Sequence, residues 1–184
     1  MHDPEKLKSL FQKGKIFAYP TEAVFGLGCD PLNENAVQRL LDLKSRPVEK
    51  GLILVADSFG RASSYIDESQ LEPSIKKEVL DSWPGFVTWL VPKSKSVPDW
   101  ICGNSELVAL RVSAHPVVSG LCKSLDSVLV STSANISGQD AIKNRSELYK
   151  VFGDQVEYID GELGGEEKPS QIRHALTGKI IRGN

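Results

Sequence analysis

At 184 residues with 40% hydrophobic content, the chain is long enough for one full core, and nothing in its length demands a second domain. The formal net charge of -2 excludes a global basic field that would recruit nucleic acid or an anionic membrane, so any such binding must rest on a local patch. The three cysteines, Cys29, Cys102 and Cys122, are odd in number and far apart, which argues against a disulfide framework and against a zinc site. Equally, His2, His115 and His174 form no metal-ligand spacing, and no protein metal site is expected. The first residues lack the apolar core of a signal peptide, and no uninterrupted apolar run approaches the ~18 residues of a membrane span. A soluble, reducing, cytoplasmic protein without membrane contact is expected, as one domain over residues 1–184.

Asp3 before Pro4 reads as an N-cap and first helical residue; Leu7, Leu10 and Phe11 form an apolar stripe, and Gly14 stops the helix. Residues 15–19 read as a strand, followed by a loop over residues 20–28. A helix is predicted over residues 33–43, with Ala36, Val37, Leu40 and Leu41 inward and Pro47 ending it abruptly. Residues 52–56 are apolar throughout and read as a strand covered on both faces. Residues 86–91 and 107–112 are mixed or alternating and suit antiparallel strands. Between them lies a helix over residues 73–81 and the turn Trp83-Pro84-Gly85. Helices at 116–125 and 146–152, and strands at 127–131, 156–159 and 179–182, complete the pattern. A mixed sheet flanked by helices follows.

Two segments carry chemistry. Ser131-Thr132-Ser133-Ala134-Asn135-Ile136-Ser137-Gly138 follows an apolar run, so it places four hydroxyls and an amide at the end of a buried strand. Ligands of open α/β sheets sit outside the carboxyl ends of strands, where short hydroxyl side chains and free N–H groups can hold anions. An ordinary polar turn reads about as well from the same residues. Lys44, Arg46 and Lys50 lie between a helix and the next strand, on a short connection bounded by Pro47 and Gly51. A solvated charge run closing a helix is the competing reading there. Neither a Walker loop, a Rossmann fingerprint nor a nucleophile elbow is present. What remains is a set of hydroxyl and cationic groups at strand ends, suited to positioning anions: Thr21, Lys44, Arg46, Lys50, Arg111, Ser131, Ser133, Asn135, Ser170 and Arg182.

Five motifs then carry a family resemblance. Tyr19-Pro20-Thr21-Glu22-Ala23 continuing to Gly28, Lys44-Ser45-Arg46-Pro47 with Lys50-Gly51, Ala109-Leu110-Arg111-Val112, the 131–138 octapeptide and Pro169-Ser170-Gln171-Ile172-Arg173 occur in this order. Together they resemble the Sua5/YrdC/YciO family, in its short bacterial form, over about residues 12–183. The resemblance implies an open, twisted α/β sheet of mixed parallel and antiparallel strands around a basic concavity. It implies an L-threonylcarbamoyladenylate synthase, a nucleotidyltransferase that joins L-threonine, bicarbonate and ATP and releases pyrophosphate for threonylcarbamoylation of adenosine 37 in tRNA. By the same resemblance threonine is held by Thr21, Arg111, Ser131 and Ser170, and ATP by Lys44, Arg46, Lys50, Ser133, Asn135 and Arg182. Lys44 and Arg46 are the expected catalytic pair. ATP enters as a substrate, with Mg²⁺ arriving on the nucleotide. The implied partners are tRNA or double-stranded RNA and the proteins that transfer the group to tRNA. The alternative is a non-catalytic module that binds double-stranded RNA or tRNA through the same cations. Carbamoyl adenylation in hydrogenase maturation ranks last, because the chain lacks the extra length and zinc-ligand cysteines.

Overall fold

The computed structural model describes residues 3–183. Helix α1 (Pro4–Gln12) begins as its sequence predicts: the Asp3 carboxylate accepts the Glu5 N–H at 3.1 Å, and Pro4 fills the first helical position. Strand β1 (Phe17–Pro20) follows. The expected loop over 20–28 is corrected, because a tight turn leads straight into strand β2 (Phe25–Gly28), antiparallel to β1 with Gly26 opposite Tyr19 and Gly28 opposite Phe17. Two glycines made the strand read as a loop. A Cβ on Gly28 would stand 2.2 Å from the Val130 carbonyl oxygen and 2.7 Å from the Tyr19 hydroxyl, so close packing requires glycine there.

Helix α2 (Glu34–Leu43) is capped by Asn33, whose side chain accepts the Ala36 N–H at 3.0 Å, and it buries Ala36, Val37, Leu40 and Leu41 as expected. Its end is set before Pro47. Ser45 takes a φ of +49°, the left-handed geometry that closes a helix, and the chain has turned away by the time the proline is reached. The remaining elements are β3 (Ile53–Ala56), α3 (Phe59–Ala62), α4 (Pro73–Asp81), β4 (Val87–Pro92), α5 (Asp99–Cys102), β5 (Leu107–Val112), α6 (Pro116–Leu125), β6 (Leu129–Ser133), α7 (Arg145–Phe152), β7 (Glu157–Tyr158), β8 (Gln171–His174) and β9 (Ile180–Arg182). The one-turn helices α3 and α5 and strand β8 are additions to the sequence reading. Strand β6 also runs two residues beyond the predicted end, so the first hydroxyls of the octapeptide lie on a strand and not in a loop.

Among the described residues the strands form one nine-stranded sheet in the order β7-β1-β2-β6-β3-β5-β4-β8-β9. It is mixed, as expected: β1 with β7, β3 with β5 and β4 with β8 are parallel, and the other neighbours are antiparallel. Successive strand residues point to opposite faces. Phe17, Tyr19, Val55 and Leu129 pack with α1 and α6, while Ala18, Leu54, Ala56 and Val130 pack with α2. On the α1/α6 face, β6 changes from apolar Leu129 to Ser131 and Ser133, which share that face by their spacing of two. The polar end of the face is where the cavity lies.

All three cysteines are buried and unpaired, and burial pushes the Cys102 thiol up to about 11 and the Cys122 thiol up to about 12, so both stay protonated near neutrality. No helix among the described residues is long and apolar enough to cross a membrane.

Candidate active site

A cavity of about 230 Å³ is lined by Thr21, Arg46, Phe86, Arg111, Ser131, Ser133, Ser170 and Arg182, together with Gly26 and Ile53. Segments far apart in sequence therefore meet at one recess. Three guanidinium groups face this one recess, and the Arg111 and Arg46 charges, after burial, are what depress Arg182 below the ordinary arginine value. Like charges brought this close favour an anion between them.

Arg111 lies on β5, opposite Val55 of β3, and its side chain is only 7% exposed. Its Nη1 sits 2.7 Å from Glu22 Oε1, and its guanidinium carbon stands 5.4 Å from the centre of the Phe86 ring. Arg46 donates from Nη2 to the Gly51 carbonyl at 2.9 Å, while its buried Nε has no acceptor in the protein. A buried guanidinium donor left without an acceptor is costly unless a ligand completes it.

Hydroxyls complete the lining. Thr21 spends its hydrogen on the Val24 carbonyl at 2.7 Å, which leaves its oxygen free to accept. Ser170 and Thr88 share a hydrogen bond of 3.0 Å, and Arg182 Nη2 donates to the Ser170 carbonyl at 3.1 Å. Arg182 is thereby tied down near the carboxyl end of the chain. Ser131 is buried beside the Tyr19 hydroxyl, and Ser133 donates to the Asn135 side-chain oxygen at 2.6 Å.

Lys44, Asn135 and Lys50 stand apart from this lining. Lys44 is 2% exposed, and its ammonium donates to the Ser133 carbonyl, to the Asn135 carbonyl at 2.7 Å and to Asn135 Oδ1 at 3.3 Å. All three donors of the ammonium are engaged by the octapeptide. Burial, with the Arg46 charge added, pushes Lys44 down to about 8. Asn135 donates to the carbonyls of Ile136 at 3.0 Å and Gln139 at 2.7 Å, so it shapes the turn. Lys50 is exposed and outside the cavity lining.

The family model named Sua5_yciO_yrdC, described as "Telomere recombination", matches residues 9–183. The chain belongs to the Sua5/YciO/YrdC family. A relative from Pseudoalteromonas atlantica named threonylcarbamoyl-AMP synthase is 53% identical over 171 residues, covering 93% of this chain and 91% of the relative. One of the same name from Vibrio parahaemolyticus is 46% identical over 183 residues, covering 99% of both chains. Among solved structures, Pyrococcus abyssi Sua5 complexed with L-threonine superposes with a TM-score of 0.88 at 29% identity, covering 99% of this chain and 55% of that one. The chain thus spans about half the length of that protein. Escherichia coli YciO shares the fold, with a TM-score of 0.83 at 21% identity and coverage of 99% and 90%.

Within this Sua5/YciO/YrdC chain, four site-adjacent residues escaped the sequence reading: Glu22, Phe86, Thr88 and Ser113. Ser113 donates to Glu22 Oε1 at 2.7 Å, just after β5 ends. Burial pushes Glu22 up, but the Arg111 charge and the Ser113 hydroxyl more than offset it, and the carboxyl titrates below its usual range. Glu22 follows Thr21 directly, and a buried arginine at 111 calls for an anion, so charge pairing was the signal available.

Proposed function

We propose that this chain is a threonylcarbamoyl-AMP synthase, and that its cavity brings the threonine carboxylate and the nucleotide phosphates together. The observation that carries this reading is the convergence of three guanidinium groups, those of Arg46, Arg111 and Arg182, on one recess. Cations brought together in this way favour anionic ligands, and Arg46, on the connection after α2, and Arg111, on β5, approach from different elements, as two separate anions require. A volume of about 230 Å³ lies below the roughly 300–1,000 Å³ of typical small-molecule pockets, so it suits an amino acid and a phosphate group, with the rest of a nucleotide extending outward.

In this reading Arg111 takes the threonine carboxylate, and Thr21, Ser131 and Ser170 surround the rest of the amino acid. The free amine of threonine forms an N–C bond to the bicarbonate carbon with loss of water. The resulting carbamate oxygen then attacks the α-phosphorus of ATP, and the P–O bond to pyrophosphate breaks. Arg46, Arg182 and Ser133 neutralise the phosphates, so catalysis is positioning and charge stabilisation by a nucleotidyltransferase. Lys44 and Asn135 serve by holding the Ser133 loop. Mg²⁺ would arrive on the nucleotide and would add to the neutralisation of its phosphates, with no cage of protein ligands required. The product passes to partner proteins that modify tRNA in the cytoplasm. A purely RNA-binding role draws less support, since the cations line a recess and not an open face.

The test is pyrophosphate release with L-threonine, bicarbonate and ATP omitted in turn. Each omission is expected to abolish release; equal release without threonine would overturn the reading.

A further inference from the structure

Glu22 sits in the turn between β1 and β2, adjacent to the cavity-lining Thr21, yet it does not line the cavity. Its side chain is 13% exposed and lies behind Arg111, where Oε1 meets Arg111 Nη1 and the Ser113 hydroxyl, each at 2.7 Å. Ser113 is itself fixed, because its Oγ accepts the His115 N–H at 3.1 Å. The backbone of the turn is fixed as well: Gly164 donates to the Thr21 carbonyl at 3.0 Å, and Glu166 donates to the Glu22 carbonyl at 2.9 Å. A Cβ on Gly164 would stand 2.8 Å from Glu22 Cα, so glycine lets this segment close directly on the turn.

Arg111 is consequently gripped from two sides, by the Glu22 carboxylate and by the Phe86 ring. A guanidinium held in one plane presents its remaining donors in a fixed fork, which matches a planar carboxylate and not a diffuse anion. We propose that Glu22 is a positioning residue which, buttressed by Ser113, orients the Arg111 guanidinium for the carboxylate of the amino-acid substrate. This rests on the assignment of Arg111 to threonine above. Neutralising a buried cation would be a purely structural role, and the two roles separate by experiment.

The measurement is steady-state pyrophosphate release, varying threonine and ATP separately, with thermal melting on each variant. In Glu22→Gln the shape and one acceptor remain but the charge is lost, and kcat/KM for threonine is expected to fall about 10- to 150-fold, as for a lost charge-assisted hydrogen bond, with the ATP KM unchanged. Glu22→Asp keeps the charge but withdraws it by one methylene, and it should show the same threonine defect. Full activity in the aspartate variant would mean that charge alone matters and would overturn the proposal. Ser113→Ala leaves the ion pair intact, so it remains informative should Glu22 variants fail to fold. Its kcat/KM for threonine should fall about 2- to 12-fold. In an Arg111→Lys background, Glu22→Gln should add little, because both act through one contact. Additive losses, or an equal rise in the threonine and ATP KM values, would also overturn it. Threonine-independent release by the unaltered protein would instead sink the functional reading, leaving the two failures distinguishable.

Discussion

Lys44 Nζ donates to the backbone carbonyl of Asn135 at 2.7 Å, across 91 residues of sequence, so the end of one helix clasps the loop that follows β6. The ammonium points into that loop and not into the cavity. Between pH about 8, where folded Lys44 loses its proton, and the ordinary lysine value of 10.5, the unfolded chain binds more protons than the folded one. Stability contributed by this group therefore rises with pH across that window. Function should move the other way, because a neutral amine has two hydrogens for three acceptors. ATP affinity, followed by calorimetry, is expected to weaken above pH 8, and Lys44→Met should be weak at every pH. A flat profile in the unaltered protein would place the Lys44 proton outside the function of the loop.

Arg46 donates from Nη2 to the Gly51 carbonyl, and its buried Nε has no acceptor in the protein. A lysine has a single point of charge and cannot serve both. Arg46→Lys is expected to lower kcat/KM for ATP by about 10- to 150-fold, the effect of one lost charge-assisted bond. Unchanged kinetics would show that Arg46 only closes the 46–51 connection.

Gly28 is a packing requirement away from the reacting groups. In Gly28→Ala the new methyl would meet the Val130 carbonyl oxygen at 2.2 Å, in the middle of a sheet that cannot yield easily. The expected cost is about 1–3 kcal/mol, or a melting temperature lower by roughly 2–12 °C. Calorimetric melting checks this.

The amino-acid pocket should read the hydroxyl of threonine. Serine lacks only a methyl, and its kcat/KM is expected about 10- to 200-fold below that of threonine. Valine keeps the shape but leaves the pocket's hydroxyls without a partner, so it should fare worse than serine. The comparison needs all three amino acids in one pyrophosphate assay. If valine outperforms serine, neither Ser131 nor Ser170 contacts the substrate hydroxyl.

The helices were legible in the sequence because their ends are written in local chemistry: Asp3 and Pro4, Asn33, and Pro116 each mark a boundary that the structure repeats. Strand β2 was not legible, since Gly26 and Gly28 are there for the Tyr19 ring and the β6 backbone, partners distant in sequence or on another strand. Seven of the ten anticipated site residues line the cavity, namely Thr21, Arg46, Arg111, Ser131, Ser133, Ser170 and Arg182. The departure of Lys44 and Asn135 has a physical cause. A cation beside a hydroxyl-rich loop satisfies either a ligand's phosphate or the loop's own carbonyls, and sequence order does not say which. Glu22 was hidden for the same reason: its partner lies 89 positions away, on a strand brought alongside only by the fold.

If one cavity joins three substrates into one adenylate, the bicarbonate carbon must appear in the nucleotide product. The most direct measurement supplies ¹⁴C-bicarbonate with L-threonine and ATP, isolates the nucleotide product, and compares its label with the pyrophosphate released. One labelled carbon per pyrophosphate, in a product containing both threonine and AMP, is the expected result. An unlabelled threonine adenylate formed in step with pyrophosphate would contradict it, because the carboxylate of threonine would then be the nucleophile and Arg111 could not be its clamp.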